Sequence, residues 1–355
     1  TLLTGLAAAL LCAGATPLLC RLAHRFGALD HPDRHKTHRA PTPLLGGVAI
    51  AIAFFAPLAV LLLSPVGARL VMQASGDALV PLPAPVRTLV LLTGALAMHV
   101  LGLIDDRHHL GPWSKLLGQL AIITAVVIAA DVRILTLAGP VGSVVLSVLW
   151  IAIIVNAFNF LDNMDGLAAG VAAICAAALL AVAALAGQPF EMLLLAVLLG
   201  ALLGYIPFNA PPAGVFMGDA GSLLIGYLLG VASCLISYAH TDPANVWTGM
   251  LMPLVILAVP LYDMLSVILL RLRMGENPMV GDNRHFSHRL VARGMSPATA
   301  VGTICLCAAA TALGGVVLAW TNLAGTLLVG VQTLLILLVI ALLEWSPPPA
   351  RLGAP

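Results

Sequence analysis

The chain has 355 residues, of which 61% are hydrophobic and 9% charged, and its mean hydropathy is +1.07. Soluble domains carry about 25% charged residues, so this composition cannot supply the polar surface of a water-soluble globule, and it excludes intrinsic disorder for the same reason. Sixteen Lys and Arg against fifteen Asp and Glu leave a net charge of +1, with no bulk field to attract nucleic acid as a partner.

A helix crossing about 30 Å of hydrocarbon needs about 20 apolar residues. That rule predicts spans over 1–20, 46–64, 86–104, 115–131, 142–158, 166–186, 190–206, 219–238, 248–272, 297–320 and 324–345. The expected fold class is all-α: a polytopic transmembrane helical bundle of about eleven spans, with 1–355 forming one integral membrane domain. Residues 1–20 read as a span and not a signal peptide, because the basic residues follow the apolar run instead of preceding it.

Basic residues gather in cytoplasmic connections. Twelve of the sixteen fall within 21–39, 105–115 and 271–293, after spans one, three and nine. Odd-numbered connections therefore face the cytoplasm, which puts the N-terminus outside and the C-terminus inside. The six cysteines lie in apolar runs without metal-ligand spacing and read as small buried hydrophobes.

The odd-numbered connections also hold the informative polar residues. DHPDRHKTHRAPTPLLGG (30–47) places Arg34, Lys36, His38 and Arg39 before a Pro/Gly turn. Asp105 and Asp106 close span three, where a solvated helix end is the plainer reading. Asn159, Asp162 and Asp165 end span five at i, i+3 and i+6, a spacing that on a helix gives one face over two turns. Asp219 opens span eight in MGDAGS and by itself would serve as an N-cap. GENPMVGDNRHFSHRLVARG (275–294) brings Arg284, His285, His288 and Arg289 to the same side. Asp263 reads equally as a partner for Arg271 or as part of a site. His99 and His240 read as packing or interface residues, and Asp131, Asp242 and Glu344 as span ends reached by water.

Carboxylates at a bilayer edge are costly unless paired or metal-bound. Five of them converging from distant segments predict a hard-cation site, Mg²⁺ with Mn²⁺ as the alternative, and no Cys/His set points to zinc. Arg and His in loops facing that cluster predict recognition of a diphosphate.

Five segments in order, DHPDRHKTHRAPTPLLGG, IDD…KLLGQ, NFLDNMDGLAAG, FMGDAGS and the histidine loop, resemble the polyprenyl-phosphate N-acetylhexosamine-1-phosphate transferases. The resemblance implies a Mg²⁺-using enzyme of the bacterial inner (cytoplasmic) membrane. It would transfer a sugar-1-phosphate from UDP-HexNAc to undecaprenyl phosphate and release UMP. Its catalytic segments would lie near 21–47, 105–115, 156–166, 207–219 and 273–296. Asp105 and Asp106 then match a pair that engages or deprotonates the lipid phosphate. Asp162 and Asp165 match a second pair, and Asp219 a direct Mg²⁺ ligand with the Asn159 amide beside it. Phe216 matches an aromatic stacking on uracil, Asn209 a nucleotide contact, and Lys115 and Arg39 phosphate contacts. One departure is His285-Phe286-Ser287-His288, where many bacterial members read HxHH. The missing consecutive triple histidine favours UDP-GlcNAc as donor over a phospho-MurNAc-pentapeptide transferase reaction. In-line attack by the lipid phosphate is expected, with an aspartyl-phosphate route as the alternative. A proton-coupled transporter is the alternative from another class, and a homodimer is compatible with such a bundle.

Overall fold

The computed structural model describes residues 1–30, 41–67, 69, 84–135, 138–236, 246–277 and 284–345. Arg34, Lys36, His38, Arg39, His240 and Asp242 lie outside the described residues.

The described residues form helices α1 (Leu2–Phe26), α2 (Gly46–Leu62), α3 (Ala84–His108), α4 (Pro112–Ala129), α5 (Gly139–Leu161), α6 (Leu167–Leu185) and α7 (Pro189–Asn209). After these come α8 (Gly218–Leu235), α9 (Val246–Ile256), α10 (Ala258–Arg273), α11 (Phe286–Ala292), α12 (Pro297–Val317) and α13 (Leu323–Trp345). A two-residue antiparallel ribbon pairs β1 (Leu29–Asp30) with β2 (Thr42–Pro43). Among the described residues, nine helices are long and apolar enough to cross a membrane, and the bent pair α9 and α10 passes the same test when the two are taken together. The apolar α2, at 17 residues, is shorter. Each predicted span thus meets a helical element, and the chain is an all-α multi-pass membrane protein. Helices satisfy their backbone polar groups internally, as hydrocarbon demands.

The ninth span is not the continuous rod expected over 248–272. It breaks at Leu257, and its two halves meet at 71°. Pro260 causes the break: it has no N–H to donate, and its ring crowds the carbonyl four residues back, that of Ile256. That carbonyl instead accepts a hydrogen bond from the Cys175 thiol of α6 at 3.4 Å. Beyond the break, α10 packs along α5 and α12 and brings Asp263 and Arg271, both buried, into the protein interior.

The second pair of acidic residues does not share a helix face either. α5 stops at Leu161, and Asp162 caps it with ψ of 49°. Residues 162–166 form a turn that ends on Gly166 in the left-handed region, with φ of 77°. At the centre of the bundle, α8 packs against α2, α3, α5 and α7, and its N-terminus becomes the point where the polar residues meet.

Candidate active site

Close approach of two helices sets up the site. At Gly102 the backbone of α3 passes directly against Asp219 and Ala220 at the start of α8, where a Cβ would collide with that backbone. One turn later, the Asp106 carboxylate accepts the N–H groups of Asp219 at 2.8 Å and Ala220 at 3.0 Å. The first N–H groups of a helix have no intrahelical partner, and here another helix supplies the cap. Gly218 turns the chain into α8 with φ of 68°, and any side chain there would meet Asp106.

Asp219 therefore does not cap its own helix, and its side chain is used elsewhere. The Lys115 ammonium of α4 reaches Asp219 Oδ2 at 2.5 Å, Asp105 Oδ2 at 2.9 Å and Asn159 Oδ1 at 3.1 Å. The Asn159 amide donates to Asp219 Oδ1 at 2.5 Å and to Ser222 Oγ at 3.0 Å. Asp105 also takes the Leu110 N–H at 2.6 Å. Four helices thus join at one ammonium at one end of the bundle.

Asp162 stands half-buried beside this group. Burial and the neighbouring Asp219, Asp106 and Asp165 carboxylates push its carboxyl up to about 8, offset only in part by Lys115. Asp165 accepts the Ala213 N–H at 2.9 Å and so ties the 162–166 turn to the 210–217 loop. Asn209 completes that tie. It is 3% exposed, takes the Gly166 N–H on Oδ1 at 3.0 Å and donates Nδ2 to the Val215 carbonyl at 2.9 Å. Both ends of its amide hold backbone, so it shapes the loop and does not present a free amide to a nucleotide.

Phe216 is half-exposed three residues before Asp219. Its N–H donates to the Pro43 carbonyl at 2.9 Å, and its carbonyl accepts the Gly46 N–H at 3.0 Å. The β1–β2 ribbon, which flanks residues 31–40 in the sequence, is therefore stitched to the Phe216 segment.

The histidine segment approaches from the other side. His285 Nδ1 lies 2.9 Å from Asp263 Oδ2, and the Phe286 N–H donates to Asp263 Oδ1 at 3.1 Å. Of the two readings left open for Asp263, the structure gives it His285 and the Phe286 amide as partners. Sequence could not decide this, because His285 lies 22 positions further on. The His285 ring meets Phe160 edge-on with centroids 5.9 Å apart, and the Arg271 guanidinium lies 5.5 Å from the same Phe160 ring. His288 packs at 6.5 Å from His285.

Two arginines expected to bind phosphate pair with carboxylates of the chain itself. Arg284 forms a two-point pair with Glu276, at 2.5 and 2.9 Å. Arg289 donates to Ser266 at 2.9 Å and pairs with Glu344 at 2.8 Å. Glu344 is 2% exposed, so it is not the water-reached span end expected from its position. His99 behaves as the packing residue predicted, with Nδ1 at 2.9 Å from the Ala220 carbonyl. All six cysteines are free thiols.

Among the described residues, no three His, Cys, Asp or Glu side chains form a group that could hold a metal unaided. The oxygens of Asp219 and Asn159, flanked by Asp105 and Asp162, are hard donors in a carboxylate-rich pocket. That set fits Mg²⁺, which is held through one or two carboxylates and completes its shell with phosphate and water. Beyond burial, the neighbouring carboxylates that push Asp162 upward are charge that a divalent ion would neutralise.

Residues 88–237 match the family model described as Glycosyl transferase family 4. The chain is 35% identical over 339 residues to the decaprenyl-phosphate N-acetylglucosaminephosphotransferase of Mycolicibacterium smegmatis, spanning 88% of this chain and 80% of that protein. It is 31% identical to the undecaprenyl-phosphate alpha-N-acetylglucosaminyl 1-phosphate transferase of Yersinia pestis, spanning 84% of this chain and 78% of that one. The Escherichia coli protein of the same description is 28% identical, spanning 85% and 79% respectively.

Proposed function

This chain belongs to the polyprenyl-phosphate N-acetylglucosamine-1-phosphate transferases, and from that premise we propose that its donor is UDP-GlcNAc, its acceptor undecaprenyl phosphate and its metal Mg²⁺. The products are undecaprenyl-diphosphate-linked GlcNAc and UMP. The observation that carries this reading is the Lys115 ammonium held among Asp105, Asp219 and Asn159 at one end of the bundle. A lipid phosphate confined to the membrane surface can reach such a place, and so can a soluble nucleotide. The Lys/Arg distribution supports the cytoplasmic side, and the bacterial relatives support the inner membrane.

An oxygen of the lipid phosphate attacks the β-phosphorus of the donor in line. The new P–O bond forms as the bond from that phosphorus to the bridging oxygen breaks, and UMP leaves with the bridging oxygen. A phosphate monoester is largely dianionic at pH 7, with a second pKa of about 6, so the attack needs little help from a base. Asp219 and Asn159 would hold Mg²⁺, which when bound would neutralise charge on the diphosphate. Lys115 bridges Asp105 and Asp219 and would supply a fixed positive charge beside the transferring phosphoryl group. Asp106 keeps the start of α8, and hence Asp219, in place. Phe216 offers a half-exposed ring to the uracil, and His285 and His288 close the side where the diphosphate and sugar would lie. Lys36 and Arg39 are the remaining cations proposed for phosphate.

The test is purified protein with undecaprenyl phosphate and a panel of UDP-sugars, scoring UMP with and without Mg²⁺. UMP release that needs UDP-GlcNAc, the lipid and the metal together is the expected result. Release without lipid would instead support a two-step route, and no release from any UDP-sugar would overturn the reading.

A further inference from the structure

Three consecutive residues of the histidine segment are each fixed to a different partner atom. The His285 ring and the Phe286 amide share the two oxygens of Asp263 on α10. The Ser287 hydroxyl instead donates to Asn163 Oδ1 at 2.5 Å, in the turn between Asp162 and Asp165. The other end of the Asn163 amide donates to the Phe160 carbonyl at 2.7 Å, which fixes which end faces the serine. Phe160 in turn touches the His285 ring. The contacts close into a ring: Asp263, His285, Phe160, Asn163, Ser287, Phe286 and back to Asp263. Ser287 is 0% exposed, so no substrate reaches its hydroxyl, and its proton is already given to Asn163.

We propose that Ser287 is a positioning residue: through Asn163 it sets the spacing between the histidine segment and the acidic turn. The proposal rests on the function stated above. A closed ring of contacts has no free sliding direction, so His285 and His288 approach the Asp162–Asp165 turn at one distance. Buried and bonded in this way, Ser287 acts as a strut, and the role it plays is distinct from contacting the diphosphate.

The experiment compares Ser287→Ala, Asn163→Ala and the double variant in steady-state assays of UMP release, with hydrogen exchange of residues 284–292. Loss of one buried hydrogen bond that sets reacting geometry should lower kcat about tenfold in each single variant. Donor and lipid KM should stay within about twofold, and the double variant should fall no further than Asn163→Ala, which removes the same contact along with the bond to the Phe160 carbonyl. Exchange over 284–292 should rise in all three while the spans stay protected. Unchanged kcat in Ser287→Ala, multiplied losses in the double variant, or unchanged exchange would each overturn the proposal. A wild-type protein that releases no UMP would remove the functional reading alone, because the exchange result still decides whether Ser287 pins the segment.

Discussion

Asp106 and Asp219 lie 113 positions apart, and the carboxylate of the first accepts the backbone N–H of the second at 2.8 Å. The contact is to backbone, so the Asp219 side chain stays available to Lys115 and Asn159. Asp106→Ala removes two hydrogen bonds to a charged acceptor and should destabilise the protein by about 2 kcal/mol or more. Asp106→Asn keeps one acceptor and should fall between. Thermal unfolding in detergent, read alongside UMP release, checks the order.

Asp219→Asn should abolish Mg²⁺-dependent UMP release while leaving the folded state intact. The same variant should lose the rise in melting temperature that Mg²⁺ gives the wild type. A variant that keeps both activity and the Mg²⁺ shift would place the metal elsewhere.

Lys115→Met leaves Asp105 and Asp219 facing each other without their shared cation. Removing one partner of a buried pair is far more damaging than its net worth suggests. Turnover should fall by more than about a hundredfold. Lys115→Arg should not restore it, since a planar fork cannot serve three oxygens from one point. Matched kinetics of the two variants decide this.

Phe216→Ala should weaken donor binding by about 1–3 kcal/mol, the range for an aromatic stacked on a base. The lipid KM should be unaffected. Titration with UDP-GlcNAc measures this, and an unchanged donor affinity would move the uracil to another surface.

Asp162 makes a prediction about pH. Its folded-state value of about 8 lies above the ordinary 3.8. Between those values the folded protein binds the extra proton, so folded stability declines as pH rises and the full penalty is present above about pH 8. In metal-free buffer, Asp162→Asn should match wild type near pH 4, melt higher at pH 8–9 and flatten the profile between. Equal pH dependence in the two proteins would count against this electrostatic account.

The spans were readable because lipid imposes length and apolarity on every crossing, which composition records directly. The meeting of Asp105, Asp106, Asn159 and Asp219 was readable for a related reason, since carboxylates at a membrane edge need partners. The turn after Leu161 was not, because i, i+3, i+6 spacing presumes a helix that Asp162 ends. Nor could sequence separate a phosphate-binding arginine from a paired one: Glu344 lies far along the chain from Arg289 and meets it only in the folded bundle. Asn209 was expected at the nucleotide, and its buried amide instead holds Gly166 and Val215. The break at Leu257 was not read either, although Pro260 stands three residues beyond it, because hydropathy averaged over a window passes straight across a proline.

That proline governs more than local shape. A residue unable to donate one amide hydrogen diverts the chain sideways, and Asp263 just beyond it is brought to His285, whose ring meets Phe160 of a helix encoded about a hundred residues earlier. Replace it with an ordinary aliphatic residue and the rod could run straight, leaving Asp263 without His285 and the two halves of the enzyme assembled but unacquainted. The catalytic architecture depends here on an omission in the backbone as much as on any side chain.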